Sequence, residues 1–275
     1  MKTTSNCKST LLAVTFFSIM VLFSAVVCAQ NDTVNPLLST TGPNVLGQGK
    51  IQWNNSLEYH YLSMSLNNYP KINLNSFGVS TGLRFGVGNR AELTLEVSGA
   101  YNTFDTTYYH NNTGFTPSVG AKLLLYDGKG WLPRIAFFTH VALPIQQLAF
   151  IDNRWFTKVQ PEIGLQFRNT IGERWFLDYS LGYSWNSISN GLADLEDLLQ
   201  YSIGIHHLVT EKQSFGFTFT NDNSTHRMAG YLEGRWQASD NLQLLAKFGS
   251  ALGTDWKGLA AGEINALVGL NWMIK

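Results

Sequence analysis

The stretch Arg174–Asn186, RWFLDYSLGYSWN, admits few folds. Trp175, Leu177, Tyr179, Leu181, Tyr183 and Trp185 share one parity, and Asp178, Ser180, Gly182, Ser184 and Asn186 share the other. Successive side chains of a strand point to opposite faces, so this is a strand with one apolar face. Its apolar side is aromatic at both ends and aliphatic toward the middle, the profile of a strand that crosses lipid with a girdle at each interface. Its length also exceeds the ~5–6 residues usual for a soluble sandwich strand and approaches the ~9–11 of a tilted membrane-crossing one.

The same alternation recurs along the chain. It begins with Ile51, Trp53, Leu57, Tyr59 and Tyr61, and closes with Ile264, Ala266, Val268, Leu270, Trp272 and Ile274. Gly88-Asn89-Arg90, Asp127-Gly128-Lys129-Gly130, the link near Gly172 and Ala238-Ser239-Asp240 make short turns between alternating runs. The other connections are mostly long: 63–73, 104–114, 144–158, 187–196, 222–225 and 250–262. Short and long ends that alternate define an antiparallel transmembrane β-barrel of about 12 strands. Residues 192–199 carry leucines at helical spacing, consistent with a short loop helix.

Ahead of the barrel, Lys2 and Lys8 precede an apolar run from Leu11 to Val27 and the small-residue site before Gln30, the pattern of a cleaved signal peptide over residues 1–29. Residues 30–48 are polar, hold Pro36 and Pro43, and read as a periplasmic tail that tucks into or beneath the barrel. The barrel is expected over 49–275. Cleavage would remove both cysteines and two lysines, leaving a net charge of about −2, which argues against a nucleic-acid partner. No later run reaches the ~18 apolar residues of a membrane helix, so this chain must span by closed sheet. The outer membrane is the expected location, with both termini periplasmic.

If the apolar parity meets lipid, the opposite parity supplies the lumen. That places Glu58, His60, Arg84, Glu92, Glu96, Lys122, Arg134, His140, Glu162, Arg168, Asp178 and Lys247 inward, together with His206, Glu233, Arg235 and Glu263. A face-matched pairing across the Gly88 turn sets Arg84 opposite Thr94 and diagonal to Glu92 and Glu96. Arg168 can likewise lie diagonal to Asp178. Both signs of charge occur in similar numbers, so mutual neutralisation is the expected role and a narrow or partly plugged passage the expected lumen.

Little points to catalysis. His206 and His207 are adjacent, so on a strand they face opposite ways and cannot share a metal. No nucleotide fingerprint or cysteine-histidine cluster is present, and neither cofactor nor catalytic residue is expected. A lipid-acting enzyme would have to draw a histidine such as His110 or His226 from a distant loop toward the serines of 187–191. A structural or surface-binding barrel would use the aromatics of the Tyr108–His110 and Phe150–Phe156 loops.

Three segments carry a closer likeness. Ser80–Tyr101, Pro117–Pro144 and Ala238–Gly253 resemble the outer-membrane transporter-like barrels grouped under the meta-pathway of phenol degradation. The likeness is strongest at Gly120-Ala121-Lys122, Pro133-Arg134-Ile135-Ala136, Leu143-Pro144 and Asp240–Leu244. It implies passive transport of small, apolar or aromatic molecules. The acidic, arginine-rich tail of that group is replaced here by Ser39-Thr40-Thr41-Gly42-Pro43-Asn44, which weakens the carry-over of a plug role. Outer-membrane lipid is an expected partner, as is the barrel-assembly machinery acting on the last strand through Gly269, Trp272 and Ile274.

Overall fold

The computed structural model describes residues 42–65, 72–105, 111–128, 131–147, 155–157, 159–185, 198–222, 227–252 and 260–274. The expected leader, residues 30–41, His110, His226 and the 187–191 serines lie outside them.

The alternating runs form strands β1 (Ile51–Ser65), β2 (Ile72–Gly88), β3 (Ala91–Phe104), β4 (Asn112–Tyr126), β5 (Arg134–Ala142), β6 (Ile145–Gln147), β7 (Trp155–Thr157), β8 (Gln160–Ile171), β9 (Trp175–Ser184), β10 (Leu198–Thr210), β11 (Gln213–Asp222), β12 (Arg227–Ser239), β13 (Leu242–Leu252) and β14 (Ala260–Met273). Within β1–β5 and within β8–β14 each strand pairs antiparallel with the next, β5 pairs with β8, and β1 pairs with β14 from Gln52 opposite Met273 to Ser65 opposite Ala260. The sheet therefore closes on itself as a barrel of 12 strands, without an open edge. β6 and β7 are extra: they form a small hairpin paired to the far end of β4, Phe115 opposite Ile145. The expected 144–158 loop is thus partly sheet, interrupted from β5 at Leu143-Pro144.

The strands also run further than their apolar stripes. β1 reaches Ser65 and β2 starts at Ile72, inside the connection expected over 63–73. The ladder register needs only backbone groups, so it continues past the lipid zone on polar residues such as Asn73, Asn75, Asn102 and Asn112. Of the leucines with helical spacing, Leu198 and Leu199 open β10, and 191–197 lie outside the described residues. At the short-turn end, register shifts at Gly86/Gly88, Leu124/Tyr126, Leu208/Thr210 and Gln237/Ser239 mark bulges that turn the chain into the next strand. The β8–β9 turn uses Gly172 at φ 67°, where a side chain would be strained.

Burial is inverted relative to a soluble protein. Leu57, Phe77, Val79, Phe248 and Val268 are each more than half exposed on the outer face. Gln52, Arg84, Glu92, Arg168, Asp178, His206, Glu233, Arg235, Gln243 and Asn271 are buried inside. An apolar belt this continuous has no stable place in water, whereas hydrocarbon accepts it without cost. Cross-strand rings reinforce the belt, with Phe167 stacked on Tyr179 at 4.8 Å and Tyr59 tilted on Phe77 at 5.1 Å. The adjacent histidines obey the same parity: His206 is buried in the lumen, and His207 lies outside against Trp175 at 4.3 Å.

Candidate functional site: the lumen

The lumen has two zones. At the short-turn end a strap of residues from Gly42 to Gly47 runs inside the wall. The turn Gly47–Lys50 reverses the chain into β1, with Gly49 at φ 74° and its N–H donating to Gly86 O at 2.8 Å. Asn44, Val45 and Leu46 are at most 3% exposed. Gly86 is the wall position that admits the strap, because a Cβ there would lie 1.9 Å from Gly47 O. Leu46 N–H donates to Glu92 Oε2 at 2.8 Å, Lys122 Nζ to Gly42 O at 3.0 Å, and Arg134 Nη1 to Asn44 Oδ1 at 2.6 Å. The expected tail is therefore in part a lumen element.

Charged side chains pack around the strap. Arg84 bonds Glu92 through Nη2 at 2.7 Å and Gln52 through Nη1 at 2.7 Å. The register is the expected one: Arg84 opposite Thr94, Gly86 opposite Glu92 and Gly82 opposite Glu96. Arg168 and Asp178 differ from expectation in being directly opposite rather than diagonal, and they form a two-point pair at 2.5 and 2.7 Å. Arg134 also grips Asp127 at 2.6 Å. Toward β10–β12, His206 Nε2 lies 3.5 Å from Asp178, and Arg235 pairs with Glu233. Desolvation of so many charges is offset only because nearly each meets an opposite charge or a dipole. Together the strap and these pairs make a floor.

Beyond the floor, toward the long-loop end, lies a cavity of about 670 Å³ against β1–β4, β12 and β14. Of the residues expected inward, Glu58, His60 and Glu96 line it. His140 and Glu162 stand 3.8 Å apart on β5 and β8, outside that lining, and Lys247 sits 4.0 Å from the Tyr231 ring. The side chain of Glu263 lies outside the described ones.

The hydroxyl wall was not expected from the sequence. Ser56, Ser80, Ser98 and Thr116 stand side by side across β1–β4 in one register row. The row was legible in principle, since these positions share the inward parity, but small polar residues carry no charge signal. Phe138 shares the inward parity of Arg134 and His140, and its ring fits there because the opposite residue is Gly164, where a Cβ would meet it at 2.5 Å.

A closed antiparallel barrel with a lipid-facing belt and a polar, charge-paired interior defines the class: an outer-membrane-type β-barrel. No family model matches the sequence, and no curated protein matches it either. Solved structures do match in fold. An outer membrane channel from Pseudomonas putida F1 aligns with TM-score 0.61 and 11% identity over 90% of this chain and 100% of that one. The translocator domain of autotransporter NalP from Neisseria meningitidis gives 0.52 and 10% over 96% and 97%. The toluene transporter TbuX of Ralstonia pickettii gives 0.50 and 8% over 84% and 90%. An outer membrane channel, an autotransporter translocator domain and a toluene transporter share this architecture, so function must come from the lumen.

Proposed function

We propose that this chain is a passive outer-membrane channel for small molecules, with its short-turn end and both termini in the periplasm and its long loops outside. The observation that carries this reading is the polar cavity held inside a closed barrel. A structural barrel has no need of an interior void lined by hydrogen-bonding groups, whereas a solute path does. The strap and its ionic collar form the narrow part, and passage requires the strap to shift or thin. Resemblance to the phenol-degradation group and the fold shared with a toluene transporter support a small-molecule cargo and raise aromatic compounds as one class. β14, with Ile264, Val268 and Trp272 outward, is the segment presented to the assembly machinery.

Purified, refolded mature chain in planar bilayers should give discrete conductance steps, and liposomes carrying it should swell in small solutes. A folded barrel that passes neither ions nor any small solute tried would refute the channel.

A further inference from the structure

The chemistry of the cavity wall narrows the cargo, on the premise that the lumen conducts. Three successive register rows build the β1–β4 side. The first is the hydroxyl row Ser56, Ser80, Ser98 and Thr116, with the Ser56 and Ser80 hydroxyls 2.8 Å apart. Next comes a row of minimal side chains, Gly78, Ala100 and Gly114, beside Glu58. The third is polar again, His60, Ser76, Asn102 and Asn112, with Asn102 Nδ2 donating to Asn112 Oδ1 at 2.7 Å. The small row makes a trough between two ridges of donors and acceptors. Each hydroxyl and amide in those ridges keeps bonding capacity beyond the contacts made to its neighbour.

Across the trough the Tyr231 ring, which lines the cavity, is not offered flat to a solute. Lys247 lies 4.0 Å over its centroid, and its hydroxyl accepts from Asn265 at 3.4 Å. A toluene-like molecule entering here would strip water from hydroxyls and amides and return no hydrogen bonds. Sites built to bond hydroxyl groups reject analogues that lack them.

Charge adds a second filter. Among the described residues Glu58 and Glu96 line the cavity, and Lys247, held over the Tyr231 ring, offsets only one of these two carboxylates, so the wall stays net acidic. The Glu96 carboxylate has no hydrogen-bond or ion-pair partner among the described residues, so it is available to accept from a solute hydroxyl or ammonium.

We infer that this vestibule takes small, hydroxyl-rich solutes of sugar size that are neutral or cationic, in preference to aromatic hydrocarbons and to carboxylated sugars. Its volume lies within the ~300–1,000 Å³ typical of small-molecule sites.

The test uses the full mature chain in liposomes, with folding verified by heat-modifiable migration. Glucose and glucosamine should drive swelling, and glucuronate should enter at least about fivefold more slowly. Ser80→Val with Ser98→Val should lower the glucose rate at least about threefold. Glu58→Gln with Glu96→Gln should bring glucuronate toward the glucose rate. In porin-deficient cells, expression should raise uptake of labelled glucose and leave labelled toluene unchanged. Raised toluene uptake without glucose uptake, or equal rates for glucose and glucuronate, overturns this inference while leaving a channel in place. Conductance and swelling both absent would overturn the channel reading, and this inference with it.

Discussion

The two zones of the lumen solve the problem of a polar interior in opposite ways. Around the strap, long charged side chains on neighbouring strands and turns satisfy one another along the wall: Arg84 with Glu92, Arg168 with Asp178, Arg134 with Asp127. Along the β1–β4 trough, short side chains stay on the wall and leave volume in front of them. Same-parity positions on the same strands serve both ends, so side-chain length decides whether a barrel of this size is filled or hollow. Filling gives rigidity and a floor, and hollowness gives a place for solute.

The largest effect should come from removing the filling. A mature chain starting at Gly47 lacks the strap, and its single-channel conductance should rise by about an order of magnitude over the full chain, because pore radius at the narrowest point dominates flux. An unchanged conductance would mean that the strap is not the narrow part.

Next is the floor's ionic hub. Glu92→Ala leaves Arg84, Lys122 and the Leu46 amide without their shared acceptor, which should cost roughly 3–5 kcal/mol in reversible denaturant unfolding from lipid or detergent. Ser98→Ala, on the hollow wall, should stay within about 0.5 kcal/mol. Equal costs would erase the distinction between the zones.

These contrasts also show what the sequence could and could not disclose. The lipid-facing stripes, from Trp175 to Tyr183 and from Ile264 to Trp272, follow from parity alone, as do the strand count and the Arg84–Thr94 register. Period-two alternation and short turns are local signals, and a one-residue slip would put every apolar side chain on the wrong face. That the tail tucks into or beneath the barrel was an expectation from sequence, but the strap's seat in the lumen was not legible. Its residues have no period, and its partners lie 46, 80 and 90 positions away, at Glu92, Lys122 and Arg134. Pairing beyond the lipid zone was hidden for a related reason, since the polar ends of β1–β4 are held by backbone ladders that need no apolar signature. The β6–β7 hairpin is a further such case.

The outer wall offers a third contrast. Val79→Arg places a charge in the lipid-facing belt and should destabilise the barrel by about 2–4 kcal/mol near the midplane, whereas Ser80→Arg, one residue on, faces the cavity and should cost far less. Urea titrations in phospholipid vesicles measure both, and equal losses would contradict the facing of β2.

The smallest effect separates two glycines. A methyl at Gly216 would meet His206 Nδ1 at 2.1 Å, and one at Gly234 would meet nothing within 4 Å. Gly216→Ala should cost about 1–3 kcal/mol through displacement of the imidazole, and Gly234→Ala no more than about 0.5 kcal/mol. Thermal transitions of the two variants provide the comparison.

Everything rests on neighbouring residues of one strand meeting different solvents. The sequence has two cysteines, both within the expected leader, so single cysteines can be read without background in the mature chain. Val97 is 47% exposed on the outer face, and Ser98 lines the cavity. In reconstituted vesicles, Ser98→Cys should react with a small charged, membrane-impermeant thiol reagent, and Val97→Cys should react only once the membrane is dissolved and the protein denatured. Labelling of Val97→Cys in intact vesicles with Ser98→Cys protected would contradict the inside-out barrel directly.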